Sequence, residues 1–85
     1  MSAAGLCARA ELLWLRGIAL DRSGEGQAAL RQLAAALKAA TAVPALDDGT
    51  RKAAFLAADI RADTAALRRR EDRRAAGNDE FRRER

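Results

Sequence analysis

Alanine is the feature that most limits how this chain can fold. It supplies 23 of the 85 residues, whereas the apolar side chains large enough to fill a core number 18, of which 11 are Leu. Alanine favours the α-helix because its side chain loses no conformational entropy there. A core of this size gives a short chain only about 3–5 kcal/mol of stability. The sequence therefore predicts a marginally stable all-α protein that self-association or a partner completes.

Small and apolar residues recur at helical spacing in three segments, which predict helices over about 3–21, 25–40 and 50–67 or longer. The inner stripe of the first helix is Leu6, Ala10, Leu13, Gly17 and Leu20. The inner stripe of the second is Ala29 or Leu30, Leu33, Ala36 or Leu37, and Ala40. The inner stripe of the third is Ala53, Leu56, Ile60, Thr64 and Leu67. Together they predict an antiparallel helical hairpin plus a third amphipathic helix, forming a three-helix domain over 1–67.

Turn and cap residues separate the three segments. Gly24 and Gly26 predict a short reversal after the first helix, with Ser23 as the N-cap of the second helix and Glu25 in its first turn. Pro44 predicts a linker, because proline cannot continue a helix. The cap of the third helix is then predicted to be Asp47, Asp48 or Thr50.

The first helix carries more apolar surface than two small neighbours can cover. Leu12, Leu15 and Ala19 widen its apolar side, and we expect this face to be an interface with a partner or a second copy. Cys7, Trp14 and Ile18 form a stripe at its boundary. Trp14 fits equally well as an anchor in the interface or as part of the core.

Residues 68–85 form an Arg-rich extension of the third helix, with 8 Arg and 5 acidic residues. Gly77 followed by Asn78 predicts that the helix stops there and that the last residues are frayed. The candidate phosphate contacts are Arg68, Arg69, Arg70, Arg73 and Arg74. A solvated helix end explains the same arginines, and it is favoured because Glu71 and Asp72 dilute the charge.

Several classes of function are excluded or disfavoured by what the sequence lacks. It contains no His, and its one cysteine, Cys7, has no histidine to activate it as a nucleophile. The pairs of adjacent acidic residues lie in the linker or the tail. We expect them to be exposed there, so burial would not raise the pKa of their carboxyl groups as catalysis requires. We therefore expect no catalytic, cofactor or metal site and no small-molecule substrate.

No apolar run is long enough to span a membrane, and a reduced Cys7 fits a cytoplasmic protein. The 14 Arg against 2 Lys suggest a GC-rich bacterial or phage source.

Residues 10–37 resemble a single tetratricopeptide repeat. Counting from Ala10, small residues occupy the eighth, fifteenth, twentieth and twenty-seventh positions, namely Gly17, Gly24, Ala29 and Ala36. The chain departs from that pattern at Trp14, which comes one place late, at Leu20 in place of the usual Tyr, and at Pro44, three residues late. No second copy follows, although arrays normally need three. An ordinary Ala-rich helical hairpin obeys the same packing rules and is the favoured alternative.

The chain is also similar to the small helical co-chaperones of bacterial type III secretion. The similarity lies in the general pattern of two helical segments joined by a loop, AALRQLAAAL and KAAFLAADIRADTAAL. That resemblance implies a protein partner and no catalysis.

The sequence thus predicts a non-enzymatic protein–protein interaction module, whether adaptor, chaperone-like protein or structural subunit. Its predicted interface residues are Leu12, Trp14, Leu15 and Ala19. The alternative is a nucleic-acid-associated factor of phage or bacterial origin that uses the Arg-rich C-terminus.

Overall fold

A computed structural model, which describes residues 2–44 and 49–83, consists of three helices. They are α1 (Ala3–Arg22), α2 (Gly26–Thr41) and α3 (Thr50–Arg83). The prediction of an all-α three-helix unit is confirmed. The ends of α1 and α2 lie within one residue of the positions expected from the sequence.

The turn between α1 and α2 uses Ser23 differently from the prediction. Its hydroxyl donates to the carbonyl oxygen of Ala19 at 3.0 Å, so Ser23 caps the end of α1 and is not the N-cap of α2. Gly24 then adopts a φ of 82°, a left-handed conformation that suits glycine. The N-cap of α2 is Glu25, whose side chain makes no capping hydrogen bond. The serine stays with α1 because the chain reverses only after it.

The helix α3 begins at Thr50, and Gly49 precedes it as the first hydrogen-bond acceptor, receiving the N–H of Ala53 at 2.9 Å. The Thr50 hydroxyl donates to the Pro44 carbonyl at 2.7 Å and ties the first turn of α3 to the linker at Pro44. Thr50 therefore belongs to the helix. The other two predicted caps, Asp47 and Asp48, lie outside the described residues.

The helix α2 packs against both other helices and runs antiparallel to each, and α1 and α3 run in the same direction in direct contact with each other. Ala10, Ala29 and Ala36 are fully buried, and Gly17 is in contact with Leu33. These small residues bring the α1 and α2 backbones close together. Larger side chains from α3 complete the core, and the two largest that are fully buried are Ile60 and Leu67.

The helix α3 continues past the predicted stop at Gly77 and Asn78 and ends at Arg83. Gly77 does not take the left-handed conformation of a helix C-cap, since Gly24 is the one described glycine with a positive φ. A glycine inside a helix costs only about 1 kcal/mol relative to Ala, which the helix tolerates here. From residue 72 to residue 77 every side chain is exposed, so this part of α3 projects beyond the three-helix core.

Candidate interaction surface on the first helix

The side of α1 that faces away from α2 and α3 carries two large apolar side chains. Leu12 is 51% exposed and Leu15 is 61% exposed. Ala8 and Ala19 are also exposed and lie one helical turn before and after this pair. The four residues form a continuous strip, called here the α1 outer surface: Ala8, Leu12, Leu15 and Ala19.

The opposite side of α1 is buried in the protomer, as the sequence predicts. Ala10 and Gly17 are buried, and Leu6, Leu13 and Leu20 are half-buried. Cys7 is also buried, and its thiol lies 3.9 Å from the carbonyl oxygen of Gly49, so it belongs to the packing at the start of α3.

Trp14 lies between α1 and α3, away from the outer surface. Its indole N–H donates to a carboxylate oxygen of Asp63 at 2.7 Å, and its ring packs on the core. Three of the four residues expected at the interface therefore share the outer surface, and Trp14 instead fixes the position of α1 against α3. The sequence gives no sign of the Trp14–Asp63 bond, because the two residues are 49 positions apart.

Both acidic residues of α1 are half-buried and form ion pairs with α3. Glu11 lies 3.0 Å from the amine of Lys52, and Asp21 lies 2.9 Å from the guanidinium of Arg70. The hydrogen bond to Glu11 raises the pKa of Lys52 above its ordinary value. Lys52 and Arg70 thus neutralise the two acidic side chains of α1, of which that of Glu11 stays 42% exposed.

The charged side chains that remain exposed on α1 are all arginines. Arg9 and Arg16, seven residues apart, follow one edge of the α1 outer surface, and Arg22 lies toward the other edge. None of the three forms an ion pair within the part of the chain that the structure describes. The exposed side of α1 is therefore apolar and cationic.

Phe55 is a further exposed apolar side chain, which the sequence reasoning missed. It lies on α3 and is 68% exposed, beside Lys52 and Asp59. Its position off the stripe formed by Ala53, Leu56 and Ile60 is the sequence signal that could have identified it.

The five arginines expected to contact phosphate are all exposed, but they do not act as one group. Arg70 is paired with Asp21, and Arg74 lies 3.5 Å from Glu71. Arg68, Arg69 and Arg73 form no ion pair with any described residue. The free positive charge on this part of α3 is thus smaller than the sequence suggests.

The cavity between the three helices is small, about 200 Å³, and Gly17, Ile18, Leu33, Ala66 and Leu67 form its apolar walls. Asp63 and the Asp21–Arg70 ion pair also line the cavity, and each carboxylate already has a partner. Within residues 2–44 and 49–83, no group of three Cys, Asp or Glu side chains is arranged to hold a metal ion. No helix among the described residues is both long and apolar enough to cross a membrane.

Comparison with known proteins finds no matching family model, no similar curated sequence and no similar solved structure.

Proposed function

We propose that this protein is a non-enzymatic interaction module that binds another protein, or a second copy of itself, through the α1 outer surface. The observation that carries the proposal is the exposure of Leu12 and Leu15 side by side on one helix. Contiguous exposed apolar side chains mark interaction sites in soluble proteins. Adaptor, chaperone-like and structural-subunit roles all use such a surface.

The free energy gained by burying apolar side chains favours a partner bound to the α1 outer surface. Burial of one leucine side chain contributes about 1.5–3 kcal/mol. Leu12 and Leu15 are 51% and 61% exposed, so covering the rest of both side chains would contribute about 1.7–3.4 kcal/mol in total. That is a large part of the net stability expected for a domain this small, about 3–5 kcal/mol. Binding would stabilise the folded chain by mass action, which suits a protein with a core built largely of alanine.

The resemblance to a tetratricopeptide repeat is compatible with this proposal. Gly17 meets Leu33 and the Ala29 carbonyl, the kind of close helix crossing that small residues allow in such a repeat. An ordinary helical hairpin packs in the same way. A likeness to type III secretion co-chaperones would make the partner a protein subunit kept soluble by this chain.

Replacing Leu12 and Leu15 together with Glu should abolish association and leave the fold intact. Both side chains are more than half exposed, so each change should alter the free energy of unfolding by no more than about 0.5 kcal/mol. Circular dichroism melting checks the fold, and light scattering across concentration checks self-association. A photo-crosslinking amino acid at position 15, introduced in the native host, checks for a partner.

The matched control is Ala34→Glu with Ala35→Glu, which adds the same charge to two exposed positions of α2. It should change neither melting nor association. If the Leu12 and Leu15 variant is unfolded at every concentration, these residues belong to the core and the proposal is wrong. A protein that is monomeric throughout and gives no crosslinked product at position 15 would also contradict it.

The second candidate function is nucleic-acid binding. The observation in its favour is that three exposed arginines toward the C-terminal end of α3, Arg68, Arg69 and Arg73, form no ion pair with any described residue. Such binding would be insensitive to sequence and would weaken steeply as salt rises. Replacing the three arginines with Gln should abolish it, whereas Arg51→Gln with Arg61→Gln, nearer the start of α3, should not. Absence of binding to duplex and single-stranded DNA and RNA at low salt would exclude this function.

A further inference from the structure

Every exposed residue of α1, which the structure describes in full, is Ala, Leu or Arg, and both acidic residues of the helix are half-buried in ion pairs with α3. The exposed residues are Ala4, Ala8, Arg9, Leu12, Leu15, Arg16, Ala19 and Arg22. We infer that the α1 outer surface binds an acidic amphipathic helix, one with an apolar strip bordered by Asp or Glu. This inference rests on the proposed function and specifies the chemistry of the partner.

The arrangement of charge on α1 carries the inference. Glu11 and Asp21, the two acidic residues that could attract a basic partner, are held by Lys52 and Arg70 of α3. A partner that approaches the α1 outer surface therefore meets leucines at the centre, Arg9 and Arg16 along one edge, and Arg22 with the neutralised Glu11–Lys52 pair along the other. Buried apolar contact supplies affinity, and complementary charge at the rim supplies the choice of partner.

The spacing of these residues fits a helix as the bound element. The α1 outer surface extends from Ala8 to Ala19, about 16 Å along the axis at 1.5 Å per residue. Alanine at both ends and leucine in the middle present a ridge that a second helix can accept between its own side chains. Arg9 and Arg16 lie two turns apart, so carboxylates spaced two turns apart on the bound helix could face both.

A second copy of the chain fits the same surface less well, because both symmetric arrangements bring cationic edges together. In a parallel pair of α1 helices, the edge with Arg9 and Arg16 would face the edge of the second copy that carries Arg22. In an antiparallel pair centred between Leu12 and Leu15, Arg9 would lie beside Arg16 of the second copy. Like charges placed opposite each other across an interface are unfavourable, and each copy already has a net charge of +4.

An anionic membrane would also attract arginines, but the apolar side of this surface is small. Only Leu12 and Leu15 among its residues could insert to any depth. Interfacial binding increases with the buried apolar area, and even one myristoyl chain gives only marginal attachment. A helix that covers the whole strip gains more from these two side chains than a lipid surface does.

The test uses the full chain and two fluorescein-labelled synthetic helical peptides that share one apolar strip of Leu and Ala. One peptide carries Glu along both edges of the strip, and the other carries Lys at the same positions. Fluorescence anisotropy at physiological salt should show the Glu peptide binding at least about tenfold more tightly than the Lys peptide, as expected for several rim charge pairs. Raising the salt concentration should reduce that ratio.

Two charge-reversal variants locate the effect. Arg9→Glu with Arg16→Glu should reverse the preference between the peptides, whereas Arg51→Glu with Arg61→Glu makes the same change in net charge on exposed positions of α3 and should preserve it. If both variants lose the preference equally, the net charge of the whole protein is responsible and the inference is overturned.

The remaining outcomes are equally decisive for the inference. Equal affinity for the two peptides, or binding of neither, overturns it. If the protein binds no peptide but self-associates, and Leu12→Glu with Leu15→Glu abolishes that self-association, the occupant is a second copy and the inference is overturned. Binding to phosphatidylserine vesicles and to neither peptide also overturns it. The proposed function is tested separately, by the light-scattering and crosslinking measurements. The inference about an acidic helix can therefore fail while the proposed function holds, and the two failures are distinguishable.

Discussion

Replacing Ile60 with Ala should unfold most of the protein or bring it close to unfolding. Ile60 is completely buried and, with Leu67, is one of the two largest fully buried side chains. Truncation of a buried Ile to Ala typically costs about 2–5 kcal/mol, because the lost contacts leave a cavity. That loss matches the whole stability of about 3–5 kcal/mol expected for a chain of this size without a disulfide or metal. Urea denaturation followed by circular dichroism measures the change.

The control for this variant is Phe55→Ala on the same helix. It removes a larger side chain, but Phe55 is 68% exposed, and alanine is the better helix former. We expect its free energy of unfolding to stay within about 0.5 kcal/mol of the original protein. If Phe55→Ala destabilises the monomer as much as Ile60→Ala does, the core lies elsewhere on α3 than the structure places it.

Replacing Gly17 with Leu should separate α1 from α2 and lower the free energy of unfolding by about 2–3 kcal/mol. A Cβ atom at this position would lie 2.9 Å from Cδ2 of Leu33 and 3.0 Å from its Cγ. Leu33 is itself only 3% exposed and has little room to move. The gain in helix propensity from replacing glycine, at most about 1 kcal/mol, does not offset such overpacking.

Gly77→Leu provides the matched comparison. No atom lies within 4 Å of a Cβ placed at Gly77, so the new side chain meets open space. The helical signal in circular dichroism should rise slightly, and the melting midpoint should not fall. Equal destabilisation by the two substitutions would mean that Gly17 is not at a close contact between helices.

The periodicity of small and apolar residues was enough to predict the three helices and the inward face of each. It also predicted that Leu12 and Leu15 would be left exposed, because the buried stripe of α1 already contains Leu13 and Gly17. These features depend on residues three or four positions apart, which a sequence displays directly. Whether the exposed leucines meet a partner depends on a second molecule and stays a prediction.

The contacts that fix α1 against α3 could not be predicted in the same way. Trp14 bonds to Asp63 and Asp21 pairs with Arg70, each across 49 residues of sequence. Only the register between the helices decides which acids are neutralised and which arginines stay free. Ser23 illustrates the same limit locally, since its hydroxyl can cap the helix before it or the helix after it.

The uneven lengths of the helices have a consequence for how the molecule moves in solution. The structure measures 57 × 19 × 14 Å, with a radius of gyration of 15.7 Å, against about 12 Å for a compact domain of 85 residues. Such a rod experiences more friction than a sphere of equal mass and tumbles faster about its long axis than end over end. A monomer will therefore elute early in gel filtration and give an apparent mass above its true mass.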